Sequence, residues 1–215
     1  MRARRVKRLE PDAPLAENAL RMAMVRIDEV WTFAEAAGDR ADRKALHDMR
    51  IAAKRLRYLL ELVEPCLGEP ASRGAKQAKQ IQTLLGEIHD CDELIPLVRG
   101  HVKRMRSEDV RAVLSAAEGA RDVEPAAARA APNRARYRGL ASLRAYLAAR
   151  RETLFVSFLE EWAKLERNRF RERLEEDLAS ASETAARAAR AQMRAARARA
   201  QIDDGHAAGA PTMTT

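Results

Sequence analysis

The stretch ALHDMRIAAKRLRYLLELVEPCLG, residues 45–68, indicates the fold class, because its apolar residues recur every three to four positions. At roughly 100° per residue they fall on a single helix face. This apolar face consists of Leu46, Met49, Ala53, Leu56, Leu60 and Val63. The spacing therefore predicts an amphipathic helix over residues 42–64, ended by Pro65 and Gly68.

The same spacing continues through most of the chain and predicts an all-α helical bundle, since no segment alternates as a strand would. Gly86 predicts a bend between two helices. The other predicted helices are 15–37, one from Ser72 through Leu85, 91–106, a shorter one from Ser107, 136–165, and one from Asn168 that fades near Gln201. Three regions follow: a basic N-terminal arm at 1–14, a helical domain at 15–179, and an Ala/Arg-rich helical extension with a disordered tail at 180–215.

Composition narrows the class of protein further. Hydrophobic residues make up 47% of the chain and aromatic residues only 4%, a balance that favours helices over sheets. No run approaches the roughly 18 uncharged apolar residues that a membrane span needs, and no secretory signal is present. Cys66 and Cys91 lack metal-ligand spacing. We expect free thiols in a cytoplasmic protein that has no membrane partner.

The net charge of +8 is concentrated at the ends of the chain. Residues 1–14 carry five basic and two acidic side chains, and residues 180–215 carry five and three. Overall basicity is therefore a weak indication of an anionic ligand, and the positions of the charges on helix faces matter more.

One basic stripe lies beside the apolar face of the helix predicted at 42–64. His47, Arg50, Lys54 and Arg57 fall within about 80° of one another, and no acidic residue joins them before Glu61. An ordinary solvated rim mixes both signs of charge at this spacing. Donors that recur along one face suit a row of phosphate oxygens, so the stripe predicts a polyanion site.

Two further helices repeat the pattern. Lys76 and Lys79 share a stripe on the helix that follows. Arg144 and Arg151 fall inside the apolar face of the helix at 136–165, where a guanidinium needs an anion or a wet cavity. A structural pair between Arg151 and an internal acid is the alternative.

The two arginine-bearing helices also align as copies. A shift of 94 residues places Arg50 on Arg144 and Arg57 on Arg151. Chance matches are common in a chain rich in Ala, Arg and Leu, so an internal repeat and coincidence both remain open.

The run at 45–68, with KQIQTLLGEIHDCDEL at 79–94, resembles the CHAD family, the conserved histidine α-helical domain. The matching pattern is H-x-x-R-x-x-x-K-R-x-R, carried by His47, Arg50, Lys54, Arg55 and Arg57. The resemblance implies two similar helical bundles about a pseudo-two-fold, a basic cavity, binding of inorganic polyphosphate, and residence at polyphosphate granules. It implies neither catalysis nor a cofactor. The second half lacks the His and Lys of the motif.

Two alternatives remain from the residues alone. The basic ends could bind RNA or DNA without sequence preference, although few aromatic residues are available to stack on bases. His47, His89, Asp90 and Asp122 follow the ligand order of HD-type metal phosphohydrolases. The cations beside His47 oppose a divalent metal there. The oligomeric state is left open.

Overall fold

The computed structural model describes residues 2–207, with side chains for residues 2–199. The described residues contain no strand, which confirms the all-α prediction. The seven α-helices of this part of the chain are α1 (Leu15–Trp31), α2 (Ala34–Ala37), α3 (Arg43–Leu67), α4 (Glu69–Ala116), α5 (Pro125–Arg129), α6 (Tyr137–Arg167) and α7 (Phe170–Ala207).

Helix α4 differs most from the sequence expectation. It runs for 48 residues without interruption, so the bend predicted at Gly86 is wrong, and three predicted helices are one. A glycine inside a helix costs only about 1 kcal/mol, a penalty that packing of its neighbours can offset. Leu85 and Ile88 on either side of Gly86 are both buried. Pro96 also lies within this helix.

The turn between α3 and α4 is made by Gly68. Its backbone φ is +64°, in the left-handed region where glycine carries no steric penalty. Its N–H donates to the carbonyl of Glu64 at 2.7 Å, which closes the end of α3. Helix α3 therefore ends three residues beyond the predicted end at residue 64.

The chain divides into two compact units, which are not the two successive halves that a repeat would give. Among the described residues, unit 1 contains 2–34, 51–80 and 164–207, and unit 2 contains 35–50 and 81–163. Helix α4 contributes residues up to 80 to unit 1 and residues from 81 onward to unit 2.

Unit 1 packs α1 with parts of α3, α4 and α7. A Cβ atom at Gly74 would lie 2.8 Å from Leu60 Cδ1 and 3.0 Å from Leu174 Cδ1, so the helices approach too closely for a larger residue. Helix α7 also packs well past residue 179, since Ser182 is buried and donates to the carbonyl of Ala16 at 3.0 Å. The extension predicted to be helical from residue 180 thus packs within unit 1 at Ser182.

Both ends of the chain carry contacts within unit 1. Arg4 in the basic arm pairs with Asp28, and its backbone N–H donates to the buried Glu29. The backbone of α7 remains helical to Ala207, although disorder was predicted from Asp203 onward. The rest of the predicted tail, residues 208–215, lies outside the described residues.

Unit 2 has its own core, formed by the ends of α3 and α4 that belong to it and by α6. Cys91, Ile95 and Leu147 form one buried cluster, against which Val98 and Leu154 pack. Phe155, Phe158 and Trp162 are also buried. In contrast, Leu143 on the predicted apolar face of α6 is 43% exposed.

The two cysteines are free, as predicted. Cys91 is buried, whereas Cys66 is only half-buried. Burial raises the pKa of the Cys66 thiol. Among the described residues, we find no helix with the length and apolar content that crossing a bilayer would require.

Candidate polyanion-binding site

Helix α3 carries the predicted basic stripe on one continuous helix. The predicted core face is confirmed, since Leu46, Met49, Ala53, Leu56, Leu60 and Val63 are all buried. Beside that face, Lys54 is exposed, whereas His47, Arg50, Arg55 and Arg57 are half-buried. Of these residues, His47 and Arg50 belong to unit 2, and Lys54, Arg55 and Arg57 belong to unit 1.

At the unit 2 end of the stripe, His47 lies against His89. The centroids of the two imidazole rings are 4.8 Å apart, with the ring planes inclined by 53°. Arg50 passes beside Gly86, where a Cβ atom would lie 3.6 Å from the Arg50 Nε. Two imidazoles and a guanidinium therefore belong to one unit and are all partly accessible.

At the unit 1 end, Arg57 and Lys54 flank the ring of Tyr58. The Arg57 Cζ and the Lys54 Nζ lie 5.0 Å and 5.8 Å from the ring centroid, within cation–π range. Arg57 also donates to Glu61 at 2.8 Å, and this hydrogen bond raises the Arg57 pKa above its ordinary value. One predicted ligand thus already has an anionic partner.

The predicted second stripe lies on the part of α4 in unit 1. Lys76 and Lys79 are both exposed, as a binding role requires. Their neighbour Arg73 is bound to Glu69 at 2.9 Å and to Asp177 at 2.5 Å.

In unit 2 a cavity of about 660 Å³ is lined by five arginines, and we call it the arginine cavity. These are Arg40, Arg43, Arg99, Arg144 and Arg151. Small apolar side chains of α4 and α6 complete the wall, and Glu152 is its one acidic lining residue. Arg144 and Arg151, for which the sequence predicted an anion, a wet cavity or a structural acid partner, both line this cavity.

The five guanidinium groups differ in how much they are neutralised. Arg40 donates to Glu152 at 3.2 Å, and Arg43 lies 3.1 Å from Asp92. Arg99 and Arg144 are exposed and form no ion pair with the residues whose side chains the structure describes. Their donors are therefore available to an anion.

Arg151 is different because its guanidinium is buried and paired. Its Nε and Nη2 donate to the two carboxylate oxygens of Asp92 at 2.7 Å and 3.2 Å, and Nη2 also donates to the carbonyl of Arg40 at 2.9 Å. The pair with Asp92 raises the Arg151 pKa above its ordinary value. These contacts support the structural alternative for Arg151, with the acid being Asp92.

Three arginines of the cavity were missed in the sequence. Arg43 lies four residues before His47, one helical turn upstream in the spacing of the stripe, so it could have been found. Arg40 lies outside the helix and offers no periodic signal. Arg99 lies near Arg144 because α4 packs against α6, a tertiary contact that the sequence did not suggest.

The four residues considered as metal ligands of an HD-type hydrolase do not lie together. Within residues 2–199, no three side chains of the metal-binding types cluster together. His47 and His89 are neighbours, but Asp90 points its exposed side chain to solvent and Asp122 lies in the turn before α5.

Comparison with known proteins identifies the segment that carries the histidine motif. The family model of the CHAD domain matches residues 2–99. No curated protein and no solved structure matches the chain. The matched segment contains α1, α2, α3 and the first part of α4, including His47, His89 and Arg99. Residues 2–99 are therefore similar to the CHAD domain family.

Proposed function

We propose that this protein binds inorganic polyphosphate without transforming it, using the α3 stripe and the arginine cavity of unit 2. The observation that carries the proposal is the cavity of about 660 Å³ lined by five arginines. Two of them, Arg99 and Arg144, have no acidic partner among the described side chains, whereas the other three are paired with Glu152 or Asp92. Arginine presents a planar fork of donors that matches phosphate oxygens, and uncompensated arginines in one cavity favour a ligand with several negative charges.

The choice of ligand follows from the hydrogen-bonding groups that line the arginine cavity. The cavity supplies many donors and few acceptors, whereas an organic ligand would also call for groups that recognise its body. A polyphosphate chain carries negative charges at a regular spacing, and the cations along α3 also recur at a regular spacing. Guanidinium groups stay protonated at physiological pH and cannot act as general bases, which favours binding over catalysis.

In a cell, we infer that such a protein would reside in the cytoplasm, at granules where polyphosphate accumulates. The experiment is a calorimetric titration with long-chain polyphosphate and with single-stranded RNA of equal total charge, at several salt concentrations. We expect polyphosphate to bind more tightly than RNA, ATP or orthophosphate at physiological salt. The logarithm of its affinity should fall linearly with the logarithm of salt concentration, since each phosphate contact releases counterions.

Nucleic acid is the second candidate ligand, and one specific observation favours it. Tyr58 is 50% exposed, with Lys54 and Arg57 within about 6 Å of its ring centroid, and an exposed aromatic ring near cations can stack on a base. The terminal arginines favour it less, because Arg4, Arg187 and Arg190 are paired with Asp28, Glu183 and Glu17. Equal affinity for RNA and polyphosphate in the titration would select this candidate.

A further inference from the structure

Unit 2 contains a second cavity, of about 690 Å³, whose walls differ in kind from those of the arginine cavity. We call it the valine groove. It runs between the later part of α4 and the start of α6, and its apolar floor consists of Val98, Val102, Val110, Leu140 and Ala141. Its volume lies within the range of about 300–1,000 Å³ typical of pockets for small organic ligands.

The groove carries four cations and no lining carboxylate. Arg99, Lys103, Arg106 and Arg144 line it together with the apolar floor. All four are exposed and form no ion pair with another described side chain. The groove therefore favours an anion, as the arginine cavity does.

The apolar floor distinguishes this groove from a site that would bind inorganic phosphate alone. An inorganic chain has no carbon atoms, so it would leave Val102 and Leu140 facing water and gain nothing from them. A ligand with an apolar or aromatic group would cover those side chains while its phosphates reached the cations. The two properties of the wall together indicate a ligand that has both parts.

One wall of the groove is an aromatic ring held in place. The Tyr137 hydroxyl donates to Asp109 Oδ2 at 2.6 Å. Asp109 is buried and also accepts from the backbone N–H of Asn133 at 3.0 Å. These bonds fix the start of α6 against α4, so the ring lies at the groove before any ligand arrives, which lowers the entropic cost of binding.

We propose that the valine groove is a binding site for organic phosphates with an aromatic group, of which nucleoside triphosphates are the fitting class. The base would lie on the valine floor beside Tyr137, and the phosphates would meet Lys103, Arg106 and Arg144. Arg99 and Arg144 line the arginine cavity as well, so the phosphate end would point toward that cavity. The site does not depend on polyphosphate binding along α3.

The test compares ATP with inorganic tripolyphosphate on the full chain, without divalent metal and at one ionic strength. Tripolyphosphate carries three phosphates and no base, so charge alone predicts that it binds at least as tightly as ATP. If the floor contributes, ATP should bind about fivefold more tightly. Equal affinity, or tighter binding of tripolyphosphate, would overturn the proposal.

Substitutions then show which side chains cause the difference between the affinities for ATP and tripolyphosphate. Val110 is 57% exposed, so Val110→Gln should leave the fold intact and reduce ATP affinity about threefold, without changing tripolyphosphate affinity. Val156→Gln is the matched control, because this valine is 51% exposed on the same unit but does not line the groove.

The double variant Lys103→Gln/Arg106→Gln should lower the affinity for both ATP and tripolyphosphate. Equal losses of ATP affinity in the two valine variants would contradict the site. Long-chain polyphosphate binding should be unaffected by Val110→Gln, so failure here is separable from failure of the proposed function.

Discussion

Arg57 and Arg73 of unit 1 differ from Arg99 and Arg144 of unit 2 in whether acids already neutralise them. In unit 1, Arg57 is bound to Glu61 and Arg73 to Glu69, each pair four residues apart on one helix. In unit 2, Arg99 and Arg144 have no such partner among the described side chains. A basic residue indicates a ligand site only where its charge is left uncompensated, which neither the net charge nor a stripe drawn on one helix reveals.

The same contrast appears within α6. Arg144 and Arg151 both line the arginine cavity, and both were predicted from their place on the apolar face. Arg144 is exposed, while the side chain of Arg151 is only 8% exposed and is bound at two points to Asp92. One arginine is therefore available to a ligand, and the other fixes the wall that the ligand meets.

The largest expected effect is on stability and comes from replacing Arg151. Arg151→Gln should lower the free energy of unfolding by about 3 kcal/mol, because it leaves the buried Asp92 with only the half-exposed Arg43 as a partner. Urea denaturation followed by circular dichroism measures this change.

Arg144→Gln is the matched control for that experiment, since it makes the same chemical change on the same helix. It should alter the free energy of unfolding by no more than about 0.5 kcal/mol, as exposed substitutions usually do. An Arg151→Gln protein as stable as the unaltered chain, but deficient in polyphosphate binding, would reverse the roles assigned to the two arginines.

A second prediction compares the two regions as binding sites. Arg99→Gln/Arg144→Gln should cost about 1–3 kcal/mol of polyphosphate binding, roughly five- to 150-fold in affinity, because uncompensated donors are lost. Lys54→Gln/Arg57→Gln should cost less, since Glu61 already engages Arg57. Calorimetry on both double variants measures the difference.

The control for both double variants removes two arginines elsewhere. Arg121 and Arg173 are exposed and line neither cavity. Their replacement by Gln should shift affinity only through the change in net charge. If this control loses as much affinity as Arg99→Gln/Arg144→Gln, general basicity explains binding and the arginine cavity does not.

The sequence predicted the fold class well because helical periodicity is local. The spacing of Leu46, Met49 and Leu60 is set within one helix, and the burial of these residues follows from it. The same reasoning could not find Arg99, or foresee that Asp92 binds Arg151 across 59 residues of sequence. Such pairings depend on how helices meet, and periodicity carries no information on that.

The positions at which helices end were the least accurate part of the sequence prediction. Glycine was taken to end helices, and Gly68 does so with a positive φ, but Gly74 and Gly86 lie inside α4. Gly74 is there for packing, because Leu60 and Leu174 leave no room for a Cβ atom. The two uses of glycine look alike in sequence, and only the neighbouring helices distinguish them.

The smallest expected effect concerns the ring that closes the valine groove. Its hydrogen bond to Asp109 raises the Tyr137 pKa above the usual value of 10.0, and the same bond lowers the Asp109 pKa below 3.8. Because the folded-state pKa of Asp109 is depressed, its contribution to stability is present above the unfolded value and is lost as pH falls through the folded value. In Asp109→Asn, one of the three tyrosines should therefore titrate at lower pH than in the unaltered chain, as read from tyrosinate absorbance. The stability difference between the two proteins should also shrink below about pH 4, where the aspartate becomes protonated.

Tyr146→Phe, at an exposed position on the same helix, is the control and should leave the highest tyrosine titration unchanged. An unchanged tyrosine titration in Asp109→Asn would show that this bond does not hold the ring at the groove, and the preorganised wall assigned to Tyr137 would be wrong.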